Sequence, residues 1–589
     1  MIFQSLVELY DRLPQANFPD TDGVPPFGFS VEDIGFEVII DRDGRMVGQP
    51  EDLRVKVKAN TYDFRKSVVP YTNEVNVRSS GAATTPNFMV DKADYIFGMS
   101  GNARKKVHHD SFKKLVDEVC GDSNDDGAVA VRQFLDQWKP EKSVELRDWK
   151  EMCGIHGKWV AFRLQGDRCF VHERPAVQKL WQEFLVQEQK KYPHGVSFLD
   201  GAIHPIQLQY AQFKFGSGAS LVSFNEAAYE SYGKKRGENA PISVEAEFKS
   251  AAALKYLLRS RTQRIKIGDA TTVFWAERAS PVETFFGQVM SPAQDDAAAA
   301  EQVRAFLKAV RAGSLPNELE ADREINFYIL GLAQNKARLV LRFWYVCSVG
   351  TLMDHLRDHF NNLDMKCSDQ NIERFGVWHL LKETARETKD ISPVLTSALT
   401  RSILTGERYP LSLFQAVIGR IRADQSKKHP NTGKAVPNVN YLRAAILKAV
   451  LQRNFNKEVP MSLDPERRET AYLLGRLFAV LEKAQRDALG EVKATIKDRF
   501  FSAASTTPAS VFPRLLRLSQ HHIEKAEYGH VSDRRIAEIL EHLDSFPTNM
   551  SLQDQGLFAI AYYQQKNAIE REISDAAAKK KAKETEGGK

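Results

Sequence analysis

The chain has 589 residues, 43% of them hydrophobic and 27% charged, with a formal net charge of +6. A domain usually holds about 100 to 200 residues, so roughly three or four are expected, and this composition excludes a disordered or fibrous chain. No apolar run approaches the roughly 20 residues needed to span a bilayer, and Glu8 and Asp11 stand where an export signal needs cations, so a cytoplasmic protein with no membrane partner is expected.

The five cysteines form no CxxC pair, which argues against a disulfide framework and against a structural zinc site. The net charge is unevenly placed. Between Glu51 and Lys114 there are twelve Lys or Arg against seven Asp or Glu, whereas Met461 to Lys589 holds twenty against nineteen. A local cationic surplus is the electrostatic footprint of a polyanion.

In chain order, the first third is expected to be mainly strands and loops. The opening stretch and FEVIIDRDGRMVG alternate, the latter about an Asp-Gly turn, and YTNEVNVR alternates again, predicting a twisted sheet with one polar, cationic face. In LRVKVKANTYDFRK, Arg54, Lys56 and Lys58 occupy alternate positions of a predicted strand, followed by Arg65, Lys66, Arg78 and the run Arg104, Lys105, Lys106. Cations so spaced suit phosphates, because neutralising a nucleic-acid backbone releases its condensed counterions. Asn60, Tyr62, Tyr71, Asn73 and Asn76 between them are candidates to read base edges or stack, with Arg78 beside them.

From about Cys153 to Arg278, strand candidates (GKWVAFRL, RCFVH, TTVFWAE) mix with helical ones (AVQKLWQEFLVQEQKKY, VEAEFKSAAALKYLLRS). SPAQDDAAAAEQ is a linker or a capped helix start, and KARLVLRFWYV is a further strand. Beyond Leu352 helical periodicity dominates, interrupted by the loop SKKHPNTGKAVPN. Asp464-Pro465-Glu466 is expected to cap a helix, as are Ser532 and Ser551, while the terminal AAAKKKAKETEGGK is expected to fray. The expected class is therefore α+β: a sheet-rich N-terminal region, a mostly helical region and a C-terminal helical bundle. The expected boundaries are 1–150, 151–312, 313–458 and 461–589.

Catalytic motifs are weak. HLRDH sets His355 and His359 one helical turn apart, but Leu356 stands where a metalloprotease carries its glutamate base. His108, His109 and Asp110 have half the ligands of a metal phosphohydrolase, and EMCGIHG offers Cys153 and His156 without a second pair. FGSGAS lacks the Lys and Ser/Thr of a phosphate loop and reads as a turn. No cofactor or metal is expected. The enzymatic alternative is a metal-dependent nuclease or phosphohydrolase using His109 and Asp110 or His355 and His359; a third reading is a free-standing RNA-binding protein.

Along nearly its whole length the chain resembles the large subunit of the type I-C CRISPR Cascade, an RNA-guided surveillance complex. The resemblance is carried by MIFQSLVELYDRL, RSSGAATTPNFMVDKADYIFG, LVSFNEAAYESYGKKRGENAP, IGDATTVFWAE, FYILGLAQNKARLVLRFW and LTGERYPLSLFQAVIGRIRAD, in that order. It implies a non-catalytic subunit that recognises the protospacer-adjacent motif in double-stranded target DNA, helps open the duplex and holds the displaced strand. The implied partners are guide RNA, the backbone and guide-end subunits, and a recruited helicase-nuclease. Lys234, Lys235 and Arg236 lie in one of these segments as candidate displaced-strand contacts, and Arg514, Arg517, Arg534 and Arg535 are candidates in the C-terminal bundle. Relatives make small helical subunits by internal translation, which singles out Met461 as an internal start for a small subunit derived from this chain's own C-terminal region.

Overall fold

A computed structural model describes residues 1–16, 21–58, 61–72, 85–98, 103–154, 156–215, 217–224, 226–267, 269–290, 321–336, 338–366, 376–425, 427, 436–490 and 494–586. The chain folds as α+β in two compact units, one of Met1–Arg261 with Ala333–Val340, the other of Thr262–Leu332 with Leu341–Lys589.

The first unit is built on a five-stranded sheet. Strand β1 (Phe29–Ile40) pairs antiparallel with β2 (Glu51–Asp52) and β5 (Arg65–Pro70) and parallel with β7 (Trp159–Leu164), whose other neighbour is β6 (Val90–Asp91). β7 lies beyond residue 150, so the sheet draws on both sides of that position. The Asp-Gly turn forms as expected: the Asp41 carboxylate accepts from the amides of Asp43 and Arg45, and Gly44 takes the left-handed φ of 75°. The expected polar, cationic sheet face is absent among the described residues. β1 is mostly buried, because the helices Ala103–Cys120, Asp126–Gln137 and Pro175–Gln189 share a core with Phe36, Val38 and Phe162. The cations stand instead on a separate two-stranded hairpin, β3 (Val55–Lys58) with β4 (Thr61–Asp63).

Three further expectations in this unit give way. The opening stretch is a helix, Ile2–Arg12, because Ser5, Leu6, Leu9 and Tyr10 make one buried helical face against the helix Val244–Arg259. RCFVH is no strand: Val171–Glu173 is a tight helical turn. FGSGAS contributes to a strand pair, β10 (Gln212–Phe215) with β11 (Ser217–Ser220), which follows the small hairpin β8 (His194–Val196) and β9 (Ile203–Pro205).

The second unit opens with antiparallel strands β12 (Arg264–Ile267), β13 (Ala270–Ala276) and most of β14 (Asn326–Asn335); β15 (Arg338–Ser348), most of it also in this unit, is the next neighbour of β14. Phe274, Phe286 and Phe327 pack under them, and the helices from Val349 to Glu586 continue the same core. SPAQDDAAAAEQ lies outside the described residues, as does most of SKKHPNTGKAVPN. Two of the three expected caps fail. The helix after Met461 begins at Thr470, with Asp464 bonding the Glu466 amide in a turn, and Ser532 lies within the helix Gly529–Leu540. Ser551 does cap the helix Leu552–Glu586: its hydroxyl accepts from the Asp554 amide while the Asp554 carboxylate accepts from Ser551. Among the described residues no helix is long and apolar enough to cross a membrane.

Candidate nucleic-acid interface

The β3–β4 hairpin is the site where local sequence and charge coincide. Every β3 residue is exposed, with Val55 at 65% and Val57 at 60%, so the strand is covered by the chain on neither face. Lys56 and Lys58 alternate with the valines, and a register shift lies between them. The hairpin base is firmly held. Arg54 precedes the strand, its side chain only 3% exposed, and donates to Asp52 at 2.7 Å and to Glu151. The guanidinium lies 4.6 Å from the Phe36 ring centre and 4.9 Å from that of Tyr62, and Tyr62 in turn rests against His156. Hydrogen bonding to Asp52 raises the Arg54 pKa above its usual value, and Glu151 adds to this.

The expected row of three equivalent cations is therefore corrected. Lys56 and Lys58 project, while the Arg54 side chain is covered, neutralised by two carboxylates and works as the brace. Tyr62 covers that brace. Tyr71 is buried, with Lys255 over its ring at 4.6 Å, so it offers no face for stacking.

Arg65 and Lys66 open β5. Arg65 lies over the Phe170 ring at 4.0 Å and 3.8 Å from Glu173, whereas Lys66 is exposed. Lys66 also lines a cavity of about 310 Å³ with Lys255 and Arg259. Arg104, Lys105 and Lys106 fall in the first turn of the helix Ala103–Cys120. Asn60, Asn73, Asn76 and Arg78 lie outside the described residues. Lys234, Lys235 and Arg236 are exposed on a loop of the same unit.

In the second unit, Arg514 and Arg517 are exposed on the helix Pro508–Lys525, Arg514 lying 5.4 Å from the Phe500 ring centre. Arg534 pairs with Glu538 at 3.5 Å and Arg535 with Glu572, so these two are partly neutralised. Met461 is exposed in the segment before the helix Thr470–Leu489.

The histidines are engaged in packing. His108 bonds Asp94 at 3.1 Å and stacks on Tyr95 at 4.3 Å, and His109 is buried beside it. His355 Nδ1 bonds the Leu404 carbonyl and His359 Nδ1 the Tyr409 hydroxyl, so the two imidazoles on that helix are each tied to a different neighbour. Burial, reinforced by Arg453, lowers the His359 pKa to about 3. Among the described residues no group of three or more His, Cys, Asp or Glu is placed to hold a metal ion.

One polar cluster is invisible in the sequence. The Ser67 hydroxyl donates to Glu173 at 2.6 Å and lies 2.8 Å from His172 Nε2. These residue types belong to hydrolases, but Ser67 and His172 are fully buried, and burial followed by repulsion from Arg65 lowers the His172 pKa to about 3. The hydroxyl is spent as a donor to the carboxylate and reaches no solvent, so the cluster ties β5 to the turn Val171–Glu173.

The chain belongs to the CRISPR-associated proteins. It matches the model of the family described as CRISPR-associated protein (Cas_Csd1) over residues 6–570, in agreement with the resemblance to the type I-C Cascade large subunit. No curated protein matches it significantly.

Proposed function

We propose that the chain is a non-catalytic large subunit of a type I-C Cascade, which recognises the protospacer-adjacent motif in duplex DNA, promotes unwinding, stabilises the R-loop and provides the surface that recruits the helicase-nuclease. Family membership supports this reading, and the observation that carries it is the braced hairpin whose exposed strand β3 presents Lys56 and Lys58. A solvated hairpin without a core of its own is marginal in water, so the Arg54 brace makes sense if the hairpin must meet a partner at a fixed angle. Guide RNA pairs with the target strand and reads the remaining sequence, as in the other RNA-guided effectors. The backbone and guide-end subunits are further partners, together with small subunits started at Met461.

Each phosphate contact contributes about 0.9 to the slope of log affinity against log salt on B-form DNA. Lys56→Ala and Lys58→Ala are therefore expected to flatten the slope of the assembled complex on duplex DNA by about that much each, alike for all motif variants. Unchanged slopes would remove the hairpin from the DNA path. Purified protein that cleaves DNA with a stoichiometric bound metal, and loses cleavage on His109→Ala or His359→Ala, would replace this reading with the nuclease.

A further inference from the structure

The segment Glu226–Ala240 presents an aromatic ring in a setting that packing does not explain. Tyr232 is 100% exposed and has a left-handed backbone, with φ 55°. Gly233 follows at φ 70° and Arg236 at φ 45°. For residues with a side chain this conformation persists only where surrounding structure imposes it.

The surroundings do impose it. The Ser231 amide donates to Asn239 at 2.9 Å, the Lys235 amide to Glu238 at 2.8 Å and the Arg236 amide to Glu230 at 3.1 Å. Asn239 Nδ2 returns bonds to the carbonyls of Lys234 and Arg236. Gly237 anchors the loop through the Leu208 carbonyl, so close that a Cβ there would lie 1.9 Å from the Gln207 oxygen. At the other end Tyr229 packs under the Arg338 guanidinium at 4.4 Å.

Two of the segment's three acidic side chains, Glu230 and Glu238, are turned onto backbone amides of the loop, while the side chains of Lys234, Lys235 and Arg236 are exposed and form no ion pair among the described residues. A rigid turn thus offers one bare ring with three cations within four residues.

We infer that Tyr232 is a stacking platform for an unpaired nucleobase, with Lys234 and Lys235 holding the phosphates on either side. Every base has a π face, so such a contact tolerates any sequence and needs a single strand, since duplex bases are already stacked. Phosphates give the neighbouring cations a counter-charge that the loop's own carboxylates do not supply. The inference rests on the proposed nucleic-acid role and adds to it a stacking residue and a preference for unpaired strands.

The test uses the full-length chain with short fluorescent oligonucleotides: single-stranded DNA, RNA of the same sequence, and the DNA duplex. Tyr232→Ala is expected to weaken single-strand binding about 5- to 150-fold, to leave duplex binding unchanged, and to keep the salt slope, while Tyr232→Phe and Tyr232→Trp bind as the parent does. Lys234→Ala and Lys235→Ala are expected to flatten the single-strand slope by about 0.7 each. A loss on either single strand supports the platform, and comparing the DNA and RNA arms assigns the strand. Equal binding by Tyr232→Ala and the parent, equal losses on duplex, a Phe variant as weak as Ala, or a parent that binds neither single strand would overturn it. Because Tyr232 is fully exposed, its melting midpoint serves as a folding control. Duplex slopes at Lys56 and Lys58 report separately on the motif-binding role, so either reading can fail alone.

Discussion

Arg54 and Lys56 are two residues apart yet stand in opposite electrostatic conditions. Arg54 is sandwiched between Phe36 and Tyr62 and neutralised by Asp52 and Glu151, so Arg54→Ala is expected to leave the duplex salt slope unchanged and to lower stability by about 1–3 kcal/mol through lost packing and pairing. Denaturant midpoints alongside salt titrations separate the two effects; a flattened slope would return Arg54 to the DNA path. Residue-scale burial also sets a pH response. His172 and His359, with pKa values lowered to about 3, stay neutral in the folded chain, whereas an unfolded histidine binds a proton near 6.5. Below that pH the unfolded state binds more protons, so stability present at neutral pH is lost as pH falls toward 3, by up to about 1.4 kcal/mol per pH unit for each histidine. Denaturation midpoints between about pH 7 and 5 are expected to fall, and His359→Gln to flatten that fall; a pH-independent midpoint in the parent would contradict it. The sequence displayed His355 and His359 as a possible ligand pair, and nothing local to the helix could show that their hydrogen-bond partners are Leu404 and Tyr409, some fifty residues away.

At the scale of elements, the helices Thr470–Leu489 and Leu552–Glu586 meet closely at Gly475. A Cβ there would lie 2.3 Å from the Phe558 carbonyl oxygen and 2.8 Å from the Ala561 methyl. Alanine gains about 1 kcal/mol of helix propensity over glycine, but pushing two packed backbones apart costs about 1–3 kcal/mol or more. Gly475→Ala is therefore expected to be net destabilising, read as a lower chemical denaturation midpoint, and an unchanged or raised midpoint would show that the helices yield. The long amphipathic helices, Pro175–Gln189 and Val244–Arg259 among them, were legible because a buried stripe repeats over several turns. RCFVH misled because a short apolar run reads alike for strand and buried turn, and the opening stretch because three or four apolar residues satisfy either period.

At the scale of the whole molecule, Met461 divides a continuous core. The helix Leu552–Glu586 packs on Thr470–Leu489 and also on Tyr441–Phe455 and Leu411–Ala423, where the Phe414 ring presses on Gly556. Gln564 further donates to the Pro460 carbonyl. Expression with a C-terminal tag is expected to yield a second, small tagged species that disappears when Met461 is given a non-initiating codon; its absence, or its persistence in the mutant, would remove the internal start. Without the helices Leu411–Ala423 and Tyr441–Phe455 the product exposes an apolar face, so it is expected to purify with the full-length assembly rather than as a free monomer. The chain alone determined what travels in local patterns: the α+β class, the cationic surplus between Glu51 and Lys114, the Asp-Gly turn, the Ser551 cap and the family motifs. Tertiary structure decided which charges remain available, because Glu151 reaches Arg54 and Glu173 reaches Ser67 across about a hundred residues. It also decided that Tyr232 stands bare, since the full exposure of a ring depends on what the rest of the chain leaves uncovered, and no periodicity in the sequence records that.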